Sequence, residues 1–146
     1  MRPSYRKPVE KNTESALALA RLPACLSALL HMEETVTEYF ASWNAKDQLR
    51  LGGCLCSNAK LTDWNISVEG LGEVIKANTT IWQSFPDVKI DVEAIFISET
   101  SRVASCELTV YLDGEDFGDP ERVLKVVDVL SFSEEQKVCA IRAYKQ

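Results

Sequence analysis

Two aspartates interrupt otherwise apolar strand patterns in this sequence, and they are its clearest candidates for chemistry. Along Arg122–Ser133 the even positions read Leu124, Val126, Asp128, Leu130 and Phe132, a single carboxylate in a row of hydrophobes. Alternate residues of a strand share one face, so Asp128 points into the core or into a cavity that the core lines. An ionised carboxylate buried without a partner costs on the order of several kcal/mol. It must therefore be paired, wetted by a pocket, or protonated. The strand pattern from Lys60 to Val68 poses the same problem, with Asp63 beside Leu61 on one face. Two inward carboxylates can act as general base and general acid, or one can stay neutral and donate a hydrogen bond.

Other chemistries lack their residues. His31 is the only histidine, which excludes a Ser-His-Asp triad or a His-dependent metal site from the rest of the chain. Cys54 and Cys56 form a CxC with no second pair, not a zinc pattern, so no metal is expected. Gly70-Leu-Gly72 is too little for a phosphate or dinucleotide loop, and no cofactor is expected. The five cysteines, Cys25, Cys54, Cys56, Cys106 and Cys139, read as reduced small hydrophobes. That favours an intracellular, cytoplasmic compartment.

The elements that must position the aspartates are legible in the periodicity. Val36, Tyr39, Phe40 and Trp43 share one face of a helix over Glu33–Trp43. Asp47 caps a second helix running to about Cys56, weakened by Gly52-Gly53. A strand over Lys60–Val68 precedes a third helix over Gly70–Phe85, which Pro86-Asp87 stops. Four strands follow, Val88–Ser98, Arg102–Leu112, Arg122–Ser133 and Lys137–Tyr144. Ser98–Ser101 and Ser133–Gln136 read as hairpin turns, and Asp113–Pro120 as an acidic loop. Helices on one face of a curved, mostly antiparallel sheet make an α+β architecture.

At 146 residues and 46% hydrophobic the chain is one domain's worth of sequence. A net charge of −6 argues against nucleic acid or an anionic membrane as partner. The charge is uneven: residues 1–31 hold five basic and two acidic side chains, net +3, leaving −9 for the rest. Residues 1–31 therefore read as a basic N-terminal extension, and residues 32–146 as the α+β domain. The extension is an extra amphipathic helix, a pair kinked at Pro23, an organelle-import presequence, or upstream of a true start at Met32. No apolar run reaches the length of a membrane span. The sequons at Asn65 and Asn78 read as chance matches.

The segment Val126-Val-Asp-Val-Leu-Ser-Phe-Ser-Glu-Glu-Gln-Lys-Val-Cys-Ala-Ile-Arg-Ala-Tyr144 resembles the final hairpin of ketosteroid isomerase and SnoaL-like proteins. These belong to the nuclear-transport-factor-two-like superfamily of cone-shaped α+β barrels. Gly70-Leu-Gly-Glu-Val-Ile is similar to the Gly-Arg-Glu-x-Ile opening of that family's third helix, with Leu71 for the arginine. The resemblance runs from about Thr35 to Tyr144. It implies that Asp63 is a general base beside a ketone, with Tyr39 and Asp128 donating hydrogen bonds to the enolate oxygen. Trp43, Trp64, Trp82 and Phe85 read as core or pocket wall, and the expected ligand pocket comprises Trp43, Leu55, Trp64, Asn78, Trp82 and Ile141. The family enzyme's supporting tyrosines fall on Leu55 and Asn78. Its proline after the base is Trp64 here, and a pocket tryptophan near the C-terminus is Lys145.

Two readings of function follow. One is a cofactor-independent isomerase, cyclase or hydratase acting on a small hydrophobic carbonyl compound. The other is a non-catalytic domain that binds a hydrophobic ligand or a partner protein, including a second copy in a homodimer through its sheet. A raised pKa at Asp128 favours the first. A pocket filled by Trp64, Ile141 and Lys145 favours the second.

Overall fold

The computed structural model describes residues 23–115 and 119–146. Helix α1 (Ala24–Asn44) starts at Pro23, whose fixed φ suits a helix entrance. It includes His31 and Met32, the expected junction, while residues 1–22 of the expected extension lie outside the described residues. Its buried stripe is Met32, Val36, Tyr39, Phe40, Ser42 and Trp43. Helix α2 (Gln48–Gly53) is capped by Asp47, whose side chain accepts from the Arg50 N–H. It ends at Gly53, earlier than the spacing suggests, so Cys54 closes the helix and Cys56 lies in strand β1 (Leu55–Thr62).

The strand expected over Lys60–Val68 is two strands. β1 stops at Thr62, and a turn leads into β2 (Ser67–Glu69), which pairs back on β1 in antiparallel register. The reversal is driven by Asp63 itself. Its Oδ1 accepts from the N–H groups of Asn65 (2.7 Å) and Ile66 (2.6 Å), and its own N–H bonds the Ile66 carbonyl. An aspartate that satisfies its own downstream N–H groups favours a turn over a strand. Asp63 is therefore half-buried in a turn, not on an inward strand face.

Helix α3 (Leu71–Ser84) opens at Gly70, where φ is +105° and a side chain would be strained. The regular part of the sheet follows as β3 (Lys89–Ser98), β4 (Val103–Tyr111), β5 (Val123–Phe132) and β6 (Val138–Lys145). The six strands lie in the order β2-β1-β6-β5-β4-β3, and only β1–β6 is parallel. The sheet is open, with β2 and β3 as edges, and does not close into the barrel suggested by the resemblance. Its exposed edge groups are partly covered: Asn44 at the end of α1 donates to the Ile90 carbonyl and accepts from the Ile90 N–H, both at 2.8 Å.

The core lies between the three helices and the inner face of the sheet, with Leu51, Val74, Ala104, Leu130 and Val138 fully buried. Cys54 and Cys106 are buried free thiols and Cys25 is exposed. Cys56 and Cys139 depart from the reading of all cysteines as reduced: they form a disulfide across β1 and β6. The two strands are out of step between Leu55 and Lys60, and the bridge ties that irregular stretch. Among the described residues no helix is long and apolar enough to cross a membrane, and no group of His, Cys, Asp and Glu has a metal-binding arrangement.

Candidate functional site

A cavity of about 330 Å³ opens between the sheet and the helices, and Tyr39, Asp63 and Asp128 all line it. The rest of its lining is mainly apolar, including Ile81, Phe85, Leu112, Leu124 and Val126. An apolar hollow with a few convergent polar groups is the usual form of a small-molecule site.

Asp128 is placed by the sheet. On β5 it alternates with Val126 and Leu130, and it stands opposite Cys106 of β4 and Ala143 of β6. Both neighbours are small, and neither supplies a hydrogen bond to the carboxyl. The residue is 7% exposed, and among the described residues its carboxyl has no hydrogen bond or ion pair. Burial, and then the charge of Asp63, push its pKa up to about 7. The carboxyl is thus protonated and able to donate in the acid half of the physiological range. Cys106 beside it is pushed up to about 12 by burial and by Asp128, so it stays a neutral thiol.

Tyr39 reaches the cavity from α1, edge-on to Phe40 with ring centroids 5.0 Å apart. Burial first, then Asp128, hold its phenol well above the ordinary value, so it too is a neutral donor. Asp63 enters from the turn, with Oδ1 fixed by two N–H groups and Oδ2 without a hydrogen-bond partner among the described residues. One carboxyl is held by backbone donors and the other, buried, has none, so the two sit in different environments of one cavity.

Of the six expected pocket residues, Trp43, Trp64, Asn78 and Ile141 line the cavity. Asn78 is fully engaged, accepting from Trp43 Nε1 at 2.9 Å and donating to the Val74 carbonyl at 2.9 Å. Leu55 and Trp82 lie outside the lining. Leu55 is buried at the head of β1 opposite Val138, six residues before Leu61. Trp82 packs edge-on behind Trp43, and its buried Nε1 has no hydrogen-bond partner among the described residues. Trp64 is partly exposed at the mouth, with the Lys145 ammonium 5.3 Å from its ring centre.

Sequence reasoning missed much of the apolar lining, notably Ile66, Ile81, Leu112 and Leu124, because an apolar residue facing a cavity looks like one facing a core. His31 is exposed on α1, beside an open groove of about 640 Å³ that also carries Glu38, Arg50 and Gln136. That groove is remote in kind from the cavity: its Arg50–Glu38 ion pair is solvated, and neither aspartate lines it.

No protein-family model and no curated protein matches the chain by sequence. Its structure does have counterparts. It is similar to an NTF2-like protein of unknown function from Cytophaga hutchinsonii, at 10% identity, covering 79% of this chain and 89% of that one, with a TM-score of 0.64. It is similar to a candidate isomerase of the SnoaL-like family from Agrobacterium tumefaciens, at 17% identity over 80% and 98% of the two chains, TM-score 0.66. It is also similar to SalBIII, an epoxide hydrolase/cyclase-like enzyme of pyran ring formation in salinomycin, at 21% identity over 79% and 90%, TM-score 0.61. The chain shares the α+β fold of these SnoaL-like and NTF2-like structures. At these identities the likeness is one of fold.

Proposed function

We propose that the cavity is a cofactor-independent proton-transfer site for a small hydrophobic carbonyl compound. The observation that carries this reading is the buried, unpartnered Asp128 in the same apolar cavity as Tyr39 and Asp63. Its raised pKa and the open space beside Trp64 and Ile141 favour catalysis over a filled core. In this reading Asp63 Oδ2 takes a proton from the carbon next to the carbonyl. Charge then develops on the carbonyl oxygen, where the Tyr39 hydroxyl and the Asp128 carboxylic acid donate to it. Returning the proton to another carbon completes an isomerisation. Both donors are neutral, so neither must surrender an ion pair when the enolate forms. An isomerase, cyclase or hydratase is the reaction class this supports.

The test uses planar phenols, which imitate the enolate, with tryptophan fluorescence as readout, and deuterium exchange next to the carbonyl of a fused-ring ketone. Phenol binding should weaken about tenfold in Tyr39→Phe. It should fall as pH rises through about 7 in the parent, because Asp128 then loses its donating proton. Asp128→Asn keeps a donor and should remove that fall. Asp63→Asn should bind phenol but lose exchange. Binding that is absent, or indifferent to Tyr39→Phe in folded protein, overturns the assignment.

A second reading concerns association. The outer face of the sheet exposes Phe96, Val127 and Tyr144, the last two directly opposite each other across β5 and β6. A second copy of the chain packing on this face, in a two-fold homodimer, would cover them. Sedimentation should show a dimer that Val127→Lys dissociates; a monomer at all concentrations overturns it.

A further inference from the structure

The inner face of the β5–β6 pair is a ladder that climbs from the core to the mouth of the cavity. Its deepest rung, Leu130 opposite Ile141, is fully buried. The next is Asp128 opposite Ala143, and the outermost is Val126 opposite Lys145, which is exposed. Asp128 and Lys145 thus share one face, a single rung apart, or about 7 Å along the strand direction. Because Ala143 is small, no side chain on β6 stands between them.

The Lys145 ammonium is not loose at this position. It sits over the Trp64 ring, 5.3 Å from the centre, and Trp64 lines the cavity. A cation over an indole face is held in place without losing its charge. Beyond the cavity lies a second space of about 450 Å³ that shares Asp63, Trp64 and Ala143 with it, and Lys145 and Arg142 bound that space. Among the described residues neither cation is in an ion pair. The carboxylate nearest to them in this lining, Asp63, already turns Oδ1 to two backbone N–H groups. Of the two cations, Lys145 stands on the inner face with Asp128, whereas Arg142 alternates to the outer one. Lys145 is thus the cation at the mouth of a mainly apolar site in a chain of net charge −6.

We propose that the compound bound in the cavity carries an anionic group at the end opposite its reacting oxygen, and that Lys145 holds that group at the mouth. The inference rests on the proton-transfer reading and narrows its substrate class to hydrophobic carbonyl acids. The carbonyl oxygen meets Tyr39 and Asp128, the apolar body fills the cavity, and the carboxylate lies about 7–10 Å further out, beside Lys145 and Trp64. Lys145 is then a specificity residue. It touches the far end of the substrate and takes no part in the proton transfer.

The test compares three phenols on the full chain at about pH 6, where Asp128 keeps its proton. They are 6-hydroxy-2-naphthoate, its methyl ester, and 3-hydroxy-2-naphthoate, whose carboxylate is adjacent to the hydroxyl. The 6-hydroxy acid should bind about three- to tenfold tighter than its ester at low salt. The advantage should shrink in about 0.5 M salt and vanish in Lys145→Met, which keeps an apolar stem over Trp64. The ester should bind the parent and Lys145→Met alike, and the 3-hydroxy acid should gain nothing from Lys145. An ester that binds as well as the acid while remaining sensitive to Tyr39→Phe overturns this inference and leaves the proton-transfer reading standing. So does an acid advantage that survives Lys145→Met. Failure of all three phenols to bind overturns both.

Discussion

The two halves of the sheet are built to different standards. From β3 to β6 the chain makes an antiparallel meander, with tight turns at Arg102 and Gln136, a longer link between β4 and β5, and runs of register interrupted only by single shifts at Val92/Ala94 and Ser131/Phe132. From β1 to β2 it is irregular: a parallel seam with β6, a slipped register, a disulfide, and a strand cut short by its own aspartate. The site takes one carboxyl from each half. The meander fixes Asp128 to a rung and surrounds it with small, apolar neighbours, so its proton is held by burial. The irregular half gives Asp63 a turn whose backbone N–H groups it accepts. Regular pairing can bury a carboxyl, and a break in pairing can supply N–H donors to one. The fold uses both devices in one cavity.

The largest test of that contrast is the stability of Asp128→Asn. The folded-state pKa of Asp128 is raised from the ordinary carboxylate value of 3.8 to about 7. Between those limits the folded chain keeps a proton that the unfolded chain has released, so stability falls as pH rises. The loss is about 1.4 kcal/mol per pH unit, reaching on the order of 4 kcal/mol by neutral pH. Asparagine is neutral throughout, so the variant should match the parent near pH 4 and exceed it by about 2–4 kcal/mol at pH 8. Urea unfolding at the two pH values measures this. A variant less stable than the parent at pH 8 would mean that the Asp128 carboxylate is satisfied and not strained by burial.

The regular half was readable from the residues because its strands alternate and two of its three links are short turns. The row Leu124, Val126, Asp128, Leu130, Phe132 shows the period of two, and one face of β5 is buried as that period requires. The helix faces were equally plain: Val36, Tyr39, Phe40 and Trp43 are all buried. The irregular half was not readable for three physical reasons. Lys60–Val68 alternates well enough to pass as one strand, and only the side-chain bonds of Asp63 reveal the turn. Cys56 and Cys139 are 83 residues apart in sequence and meet only through the parallel seam. The dressing of the β3 edge by Asn44 of α1 is a contact between residues 46 apart, which no local period records. Within the site the polar groups announced themselves against apolar backgrounds. Lys145 stood out only through the resemblance, as a candidate pocket filler, because a lysine near a strand end is an ordinary surface residue until Trp64 is found beneath it.

The irregular seam should yield a smaller but separate effect. The Cys56–Cys139 bridge closes a loop of 83 residues that contains most of the sheet and α3. Cross-linking so long a stretch restricts the unfolded chain, and removing it typically costs about 2–4 kcal/mol. Cys56→Ser with Cys139→Ser should therefore lower the urea midpoint at every pH, without the pH slope that Asp128 imposes. Titration of thiols in the unfolded, unreduced parent should find three, from Cys25, Cys54 and Cys106. Five thiols would show that β1 and β6 are held by pairing alone. Because the bridge lies in β1 upstream of the Asp63 turn, its removal bears on the site in a further way. If the seam only stabilises, phenol affinity in the folded double variant equals the parent's. If affinity falls with the bridge, β1 is the element that sets where Asp63 meets the substrate, and the irregular half governs the site's geometry as well as its stability.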